Sequence, residues 1–426
     1  MPVVPSSPEL TRLVDHLFRR EAGRLVAILT RAFGVEHLHL AEDVVQDALL
    51  KAMETWPFTG VPRKPSAWLL QTAKNRALDH TRRNSLWREK QPELSPLIED
   101  CLQSALTAPA PQFEDEIRDS QLRMMFVCCH PALSAELQVA LTLKTLCGFG
   151  ESEIAAAFLI GEAAVTKRLV RARHLLRERG VAVELPVAAE LAPRVAGVLQ
   201  ALYLLFNEGY KASHGDSLLR TDLCDEAIRL AELLTVHPLG DRPAPHALLA
   251  LMHFGAARLP ARLDDSGGLL VLAEQDRRRW DRGQIAHGMR HLALSGTGAE
   301  LGRYHLEAGI AACHCLAPSF AETDWAQIVR LFDQLLRLDH SPLVALNRAV
   351  AVAQADGPAA GLRALAAIPD RSALEDYHLY HAVAGQLLFD AGRTGEAAAR
   401  FRRGLALAQL PPERALLERR LGQCGA

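Results

Sequence analysis

Two apolar stripes of helical period, separated by a three-to-four-residue turn containing glycine, constrain this chain more than any other feature. Residues 149–179 read FGESEIAAAFLIGEAAVTKRLVRARHLLRER. Ile154, Ala155, Ala157 and Phe158 give one helix an apolar face. Ile160 and Gly161 break the pattern, and Ala164, Val165, Leu169 and Ala172 resume it, with Leu175 and Leu176 continuing the stripe. The pattern predicts a helix-turn-helix. From Lys167 on, the second helix carries Lys167, Arg168, Arg171, Arg173, Arg177 and Arg179 against one acid, Glu178. Its first turn offers Thr166 and Lys167 to major-groove base edges, while the later arginines suit phosphates. A solvated basic helix end that complements the helix dipole is the other reading this stretch leaves open.

At 426 residues the chain is long enough for two to four domains, and its net charge of −2 hides local asymmetry. No apolar run of about 18 residues appears, so no membrane span is expected, and nothing reads as a secretory signal. The eight cysteines are scattered. Cys128–Cys129 and Cys313–His314–Cys315 lack the second pair that a zinc site needs, so buried reduced thiols in a cytoplasmic protein are expected, with no metal and no cofactor. No Walker motif, dinucleotide loop or nucleophile–base set is present, and no enzyme is expected.

Residues 8–90 read as helices. Leu10, Leu13, Val14 and Leu17 make a first stripe, and Leu25, Ile28, Leu29 and Phe33 a second that Gly34 ends. Over 39–56, Leu40, Val44, Ala48, Ala52 and Met53 face inward, and Glu42, Asp43, Gln46, Asp47 and Glu54 ring the outside. A loop carrying Pro57, Pro62 and Pro65 follows, and Ser66 caps a helix whose polar residues are Asn75, Arg76, Asp79, Arg82 and Arg83. An acidic and a basic face in one bundle suit two partners, a basic protein groove and nucleic acid, or an ordinary solvated surface. Residues 91–119 read as an acidic linker: seven acids between Pro92 and Asp119 face one base, Arg118, and Pro109 and Pro111 interrupt any helix.

On these stretches the chain resembles a known family. AEDVVQDALLKAMETWP followed by PSAWLLQTAKNRALDHTRR is similar to region 2 of bacterial alternative sigma factors, and the helix-turn-helix of 120–180 is similar to their region 4. The ordered pair resembles the extracytoplasmic-function group of the sigma-70 family. That resemblance implies RNA polymerase core and promoter DNA as partners. Asp43, Gln46 and Asp47 would dock on the β′ clamp helices. Asn75, Arg76, Asp79, Arg82 and Arg83 would read and help melt the −10 element. Thr166, Lys167, Arg168, Arg171 and Arg173 would read the −35 element.

The chain then continues from 190 to 426 with helices expected at 244–258, around 269–280, and at 283–296, 303–316 and 324–338. Two helical pairs follow, around Asp356–Gly357 and around Gly392. Ala384, Leu387, Leu388, Gly392, Ala397, Phe401 and Ala406 fall at tetratricopeptide-like packing positions. Residues 274–281, with Glu274, Asp276, Arg277, Arg278, Arg279, Trp280 and Asp281, read as a salt-bridge and packing knot. NEGY, EQDRRRWD and SPLVALNRAVAVAQADGP resemble a sigma subgroup with a C-terminal tetratricopeptide-like extension, which implies a regulatory role through the sigma module or a protein partner. The expected fold is therefore all-α: a region 2 bundle, a region 4 helix-turn-helix bundle and a helical-repeat extension. The expected function is promoter-directed transcription initiation. A stand-alone helix-turn-helix regulator and a repeat scaffold with vestigial sigma modules are the alternatives; the block at 39–83 speaks against the first and the intact basic helix against the second.

Overall fold

The computed structural model describes residues 21–425 except 32, 84–119, 159, 185–187, 212–218, 266, 299–300 and 370. The stripe Leu10–Leu17 and the linker 91–119 lie outside the described residues. Those described are helical, with one isolated antiparallel bridge, Leu263–Leu269. They divide into two compact units, Met1–Leu205 and Phe206–Ala426.

In the first unit, α1 (21–31) is buried almost all round, and Gly34, with φ 88°, ends it by donating to the Thr30 carbonyl at 2.9 Å. Buried Arg24 and Glu21 pair within it at 2.8 Å. Next come α2 (Leu38–Thr59) and α3 (Pro65–Arg83), joined by an edge-to-face contact of Trp56 and Trp68 with ring centroids 5.5 Å apart. The loop expected to begin at Pro57 begins instead at Gly60. Proline forfeits only one hydrogen bond in a last turn, and Gly60 (φ 78°) closes the helix onto the Trp56 carbonyl. Met53, expected inside, is 49% exposed, because the buried side of α2 runs through Val44, Val45, Ala48 and Ala52. A helix over 120–128 (α4) precedes α5 (Ala135–Thr145), α6 (Glu151–Phe158) and α7 (Glu162–Glu178). Val165, Leu169, Ala172 and Leu176 form the buried stripe of α7, whereas Ala164 is exposed.

The sequence places a join between Pro186 and Pro193, but α8 (Ala188–Tyr210) runs through Pro193. Its early turns bury Val195, Val198, Leu199 and Leu202, Arg194 donates to the Phe126 carbonyl at 3.3 Å, and Gly197 lies against Gln138 and Cys129 with no room for a Cβ. Apolar side chains and a backbone approach, invisible in a proline count, carry the first unit to residue 205.

The second unit contains α9 (Thr221–Val236), α10 (Pro243–Arg258), α11 (Arg282–Ser295), α12 (Arg303–Leu316), α13 (Trp325–Leu338), α14 (Pro342–Asp356), α15 (Pro358–Ala366), α16 (His378–Asp390), α17 (Thr394–Leu407) and α18 (Pro411–Gln423). Gly357 and Gly392 turn the chain within the α14/α15 and α16/α17 pairs at φ 89° and 77°. Ala384, Leu387, Leu388, Ala397 and Phe401 are buried as expected; Ala406 is exposed, and Gly404 and Ala408 take the inner positions. Gly385 lies directly on the Phe401 ring.

No helix forms over 269–280. Two 3-10 turns stand there, because Asp276 caps the second through the Arg278 amide and Asp281 caps α11 through the Gln284 amide. Arg277 donates to the carbonyls of His314 and Ala317, both at 2.6 Å, and to Thr323 Oγ1, and its guanidinium lies 4.8 Å from the ring of buried Trp280. This knot ties α11 to the α12–α13 connection by packing and hydrogen bonds.

Candidate nucleic-acid interface

On α2 the three acidic-face residues lie three and four positions apart, so they share one side of the helix. Asp43, Gln46 and Asp47 are all exposed, and Asp43 holds His39 at 2.8 Å. Gln46 also lines a groove of about 300 Å³ with Val26, Leu49, Lys144 and Phe149. On α3, Asn75, Arg76 and Asp79 are exposed, and Asn75 accepts from Gln71 at 3.1 Å. Arg82 and Arg83 belong to α3, and their side chains lie outside the described residues.

The five candidates on α7 separate into two groups. Thr166, Lys167 and Arg171 are exposed and share a shallow surface with Val170 and His174. Thr166 donates to the Glu151 carboxylate of the preceding helix and to the Glu162 carbonyl. Arg168 instead turns to Glu136 of α5 at 2.9 Å. Arg173 turns to Glu42, with Nη2 2.6 Å from Oε2. The spacing of Lys167, Val170, Arg171 and His174 marks one helix face. Val170 and His174 escape a reading that searches for basic residues alone, although Val170 is 58% exposed.

Glu42 is the largest departure from the sequence pattern. Expected on the solvent side of α2, it is 8% exposed and accepts from Thr145 Oγ1 at 3.1 Å as well as from Arg173. Nearby, Gly23 of α1 lies against the Leu146 carbonyl with no room for a Cβ. So α1 rests on the end of α5, and α2 on both that end and the second helix of the helix-turn-helix. A helix period ranks residues by polarity; it cannot see a guanidinium 131 positions along the chain.

Two buried cysteines, Cys129 and Cys315, are poor nucleophiles in this setting. Burial pushes the Cys129 thiol up to about 12 and Cys315 to about 11, and burial drives His314 down to about 3. No group of three or more His, Cys, Asp or Glu residues could hold a metal ion among the described residues, and none of their helices is long and apolar enough to cross a membrane.

Fold and faces together define an all-helical protein whose helix-turn-helix leaves one basic side open to solvent. Residues 17–86 match sigma-70 region 2, and residues 123–176 match sigma-70 region 4. The chain belongs to the sigma-70 family, with region 2 and region 4 domains, and these domains support a role in transcription initiation through RNA polymerase. Sigma factors are non-catalytic. Residues 194–296 match a family of unknown function (DUF6596). An uncharacterized protein of Rhizobium meliloti (strain 1021) is 38% identical over 392 residues, covering 92% of this chain and 91% of that protein. No solved structure matches.

Proposed function

We propose that this chain is a cytoplasmic sigma factor of the extracytoplasmic-function type that directs core RNA polymerase to −10 and −35 promoter elements. Asp43, Gln46 and Asp47 dock on the β′ clamp helices. Asn75, Arg76, Asp79, Arg82 and Arg83 engage the −10 element. Thr166, Lys167 and Arg171 meet the −35 element, and Arg168 and Arg173 join them by exchanging Glu136 and Glu42 for phosphates. One observation carries the reading: an exposed face on α2 with two aspartates flanking Gln46 and an exposed basic face on α7 coexist in a chain with regions 2 and 4 in order. The test is run-off transcription with core polymerase and the full chain. Promoter-specific transcripts are expected, and Asp43→Arg with Asp47→Arg is expected to weaken core capture about tenfold, a rim-charge effect. Duplex binding that needs no core and ignores that double variant would point to a stand-alone regulator.

The helices beyond 210 act, in this proposal, as a tetratricopeptide-like regulatory body. The α14/α15 and α16/α17 pairs, each turned at a positive-φ glycine and packed on its neighbours, support it. Ending the chain after Tyr210, past α8, should alter core capture or transcript yield. Equal values with and without the remainder would remove the regulatory claim.

A further inference from the structure

The second unit contains a cavity of about 780 Å³ that the sigma reading does not use. Two helices present the same pattern to it. Leu343, Asn347, Val350 and Gln354 of α14 line it, as do Leu379, Val383, Gln386 and Asp390 of α16. In both sets the positions lie four, seven and eleven residues after the first, so each is one helix face three turns long, about 16 Å. Each face begins with leucine and ends in a polar residue. Phe320, Trp325 and Leu272 add apolar walls. Leu416 and Arg420 of α18 line it as well, and Arg420 ties that helix to Glu274 of the Leu272 wall at 2.9 Å.

The polar lining is segregated and its charges cancel. His378, at the start of α16, and Glu413, near the start of α18, lie 3.1 Å apart. Gln386 and Arg420 come eight and seven residues later, so both helices carry polar lining toward the end away from that contact. There, Glu274 meets Arg419 at 3.0 Å and Arg420 at 2.9 Å, and Asp390 supplies the second carboxylate. Asn347 and Gln354 are exposed amides with no hydrogen-bond partner among the described residues, and Gln386 donates to Asp390 at 2.7 Å. Toward the other end, Leu343 is a large apolar side chain left 46% exposed.

We propose that this cavity binds a small uncharged amphiphile, its apolar body along Leu343, Val350, Leu379 and Val383 and its neutral hydrogen-bonding head at Gln354 and Gln386. The volume is that of a pocket for one drug-sized molecule, and pockets of this kind pair apolar walls with a few placed polar groups. Charge excludes the ionic alternatives. Two carboxylates and two guanidiniums offer neither a carboxylate nor an ammonium head a surplus of opposite charge, while either would lose hydration on entry. A neutral carbonyl, amide or hydroxyl loses far less, and a glutamine side chain both donates to it and accepts from it. A peptide would bring a donor and an acceptor with every residue, and along the apolar length Asn347 alone could answer them. With C–C bonds of about 1.5 Å, a chain of about ten carbons extends roughly 12 Å, within one helix face.

The experiment loads the full-length protein with N-phenylnaphthylamine, an uncharged probe that brightens in apolar surroundings. It is then displaced with three compounds of equal chain length: decanamide, decanoate and decylamine. One probe should bind per chain, and decanamide should displace it at least about tenfold more tightly than either charged compound. Val350→Arg should weaken probe and decanamide by about tenfold or more. Gln354→Ala should weaken decanamide by about three- to tenfold, the size of one hydrogen bond. Upsetting the charge balance should redirect the choice of head. Arg420→Gln, which leaves two carboxylates against Arg419, should shift preference from decanoate toward decylamine by about three- to tenfold, and Asp390→Asn should shift it the other way by a similar factor. Gln354 and Asp390 are exposed, so their variants keep the test valid if Val350→Arg perturbs the fold, which circular dichroism reports. No uptake of probe, decanoate or decylamine bound as tightly as decanamide, or a head preference that neither charge variant moves overturns the proposal. Displacement by random peptides but not by decanamide, or a dimer in sedimentation that Val350→Arg dissolves, overturns it in favour of a peptide or a second copy. None of these readouts involves polymerase, so the result is independent of the sigma assignment.

Discussion

Two polar helix seams among the described residues are built on opposite principles. In the first unit, Glu42 of α2 meets Arg173 of α7 and Thr145 at the end of α5: opposite charges brought from distant parts of the chain. In the second unit, α10 and α11 meet through imidazoles. His246 and His291 share a ring-nitrogen contact of 2.9 Å, and His253 stacks on His287 and His291 with centroids 5.3 and 5.7 Å apart. Asp241 holds His246 at 2.8 Å and Gln284 holds His253 at 2.6 Å. The difference concerns reversibility. When an ionic seam parts, water solvates both halves well, so much of its Coulomb energy is recovered as hydration. Parting the imidazole seam also opens the apolar packing around it, where Phe254 lies under Gly288. The ionic seam is suited to exchanging partners, and the imidazole seam to staying closed.

The largest effect should come from breaking the ionic seam on one side only. Glu42→Ala leaves the Arg173 guanidinium, 19% exposed, without its counter-charge. The expected cost is about 3 kcal/mol, the low end for an interrupted buried pair because some water reaches it. Urea unfolding of the full chain measures it. The double replacement Glu42→Leu with Arg173→Met should recover most of the loss, since similar apolar volume often substitutes for a buried pair at little cost. If the double variant is as unstable as the single one, the seam is held by something other than this pair.

The imidazole seam should respond to acid. His253 is held below its ordinary 6.5 by burial, only partly opposed by its bond to Gln284 and by Glu232. His291 is pushed down to about 4, first by burial and then by the charges of His246, His253, Arg290 and His287. A lowered value means that the folded unit binds fewer protons than the unfolded chain. Stability is therefore complete above pH 6.5 and falls as pH drops from 6.5 toward 4. Because His291 is half exposed, its share is discounted to about 1–2 kcal/mol. Melting curves of the full chain at pH 7 and pH 5 give the loss, and His291→Asn should flatten it. A pH slope unchanged by that variant would place the acid response elsewhere.

These seams also show where sequence reading succeeds and stops. The helix-turn-helix, the Gly34 stop and the turns at Gly357 and Gly392 follow from local chemistry, because glycine and helical period act within a few residues. Val165, Leu169, Ala172 and Leu176 are legible for the same reason. Glu42 and Met53 depart from the pattern because α2 has two neighbours, and period alone does not say which polar residue meets the second. The helix expected around 269–280 gives way to Asp276, Arg277 and Asp281, whose partners are specific backbone groups. Among the five candidates on α7, charge does not distinguish Arg171 from Arg173, which differ by two positions and therefore by side.

The smallest effects on stability separate those sides. Arg171 and Lys167 are exposed, so Lys167→Ala and Arg171→Ala should change stability by less than about 0.5 kcal/mol. Arg168→Ala should cost about the same, because the Glu136 half of its pair is solvated, at 66% exposure. Arg173→Ala belongs with Glu42→Ala instead, since it strands the carboxylate. Under the sigma proposal the ranking changes when DNA is the readout. Arg171→Ala removes a phosphate-binding side chain and should lower the slope of log affinity against log salt by about 0.9, whereas Lys167→Ala, at the base edges, should change −35 sequence preference. Arg173→Ala should lower it only if the seam opens when promoter DNA is bound, releasing the guanidinium from Glu42. Titrations of holoenzyme on promoter fragments from low to moderate salt give all the slopes together. A slope reduced by Arg173→Ala as much as by Arg171→Ala means that the seam is open in the complex. An unchanged slope means that Arg173 stays with Glu42 while α7 binds DNA, and that the ionic seam is as permanent as the imidazole one.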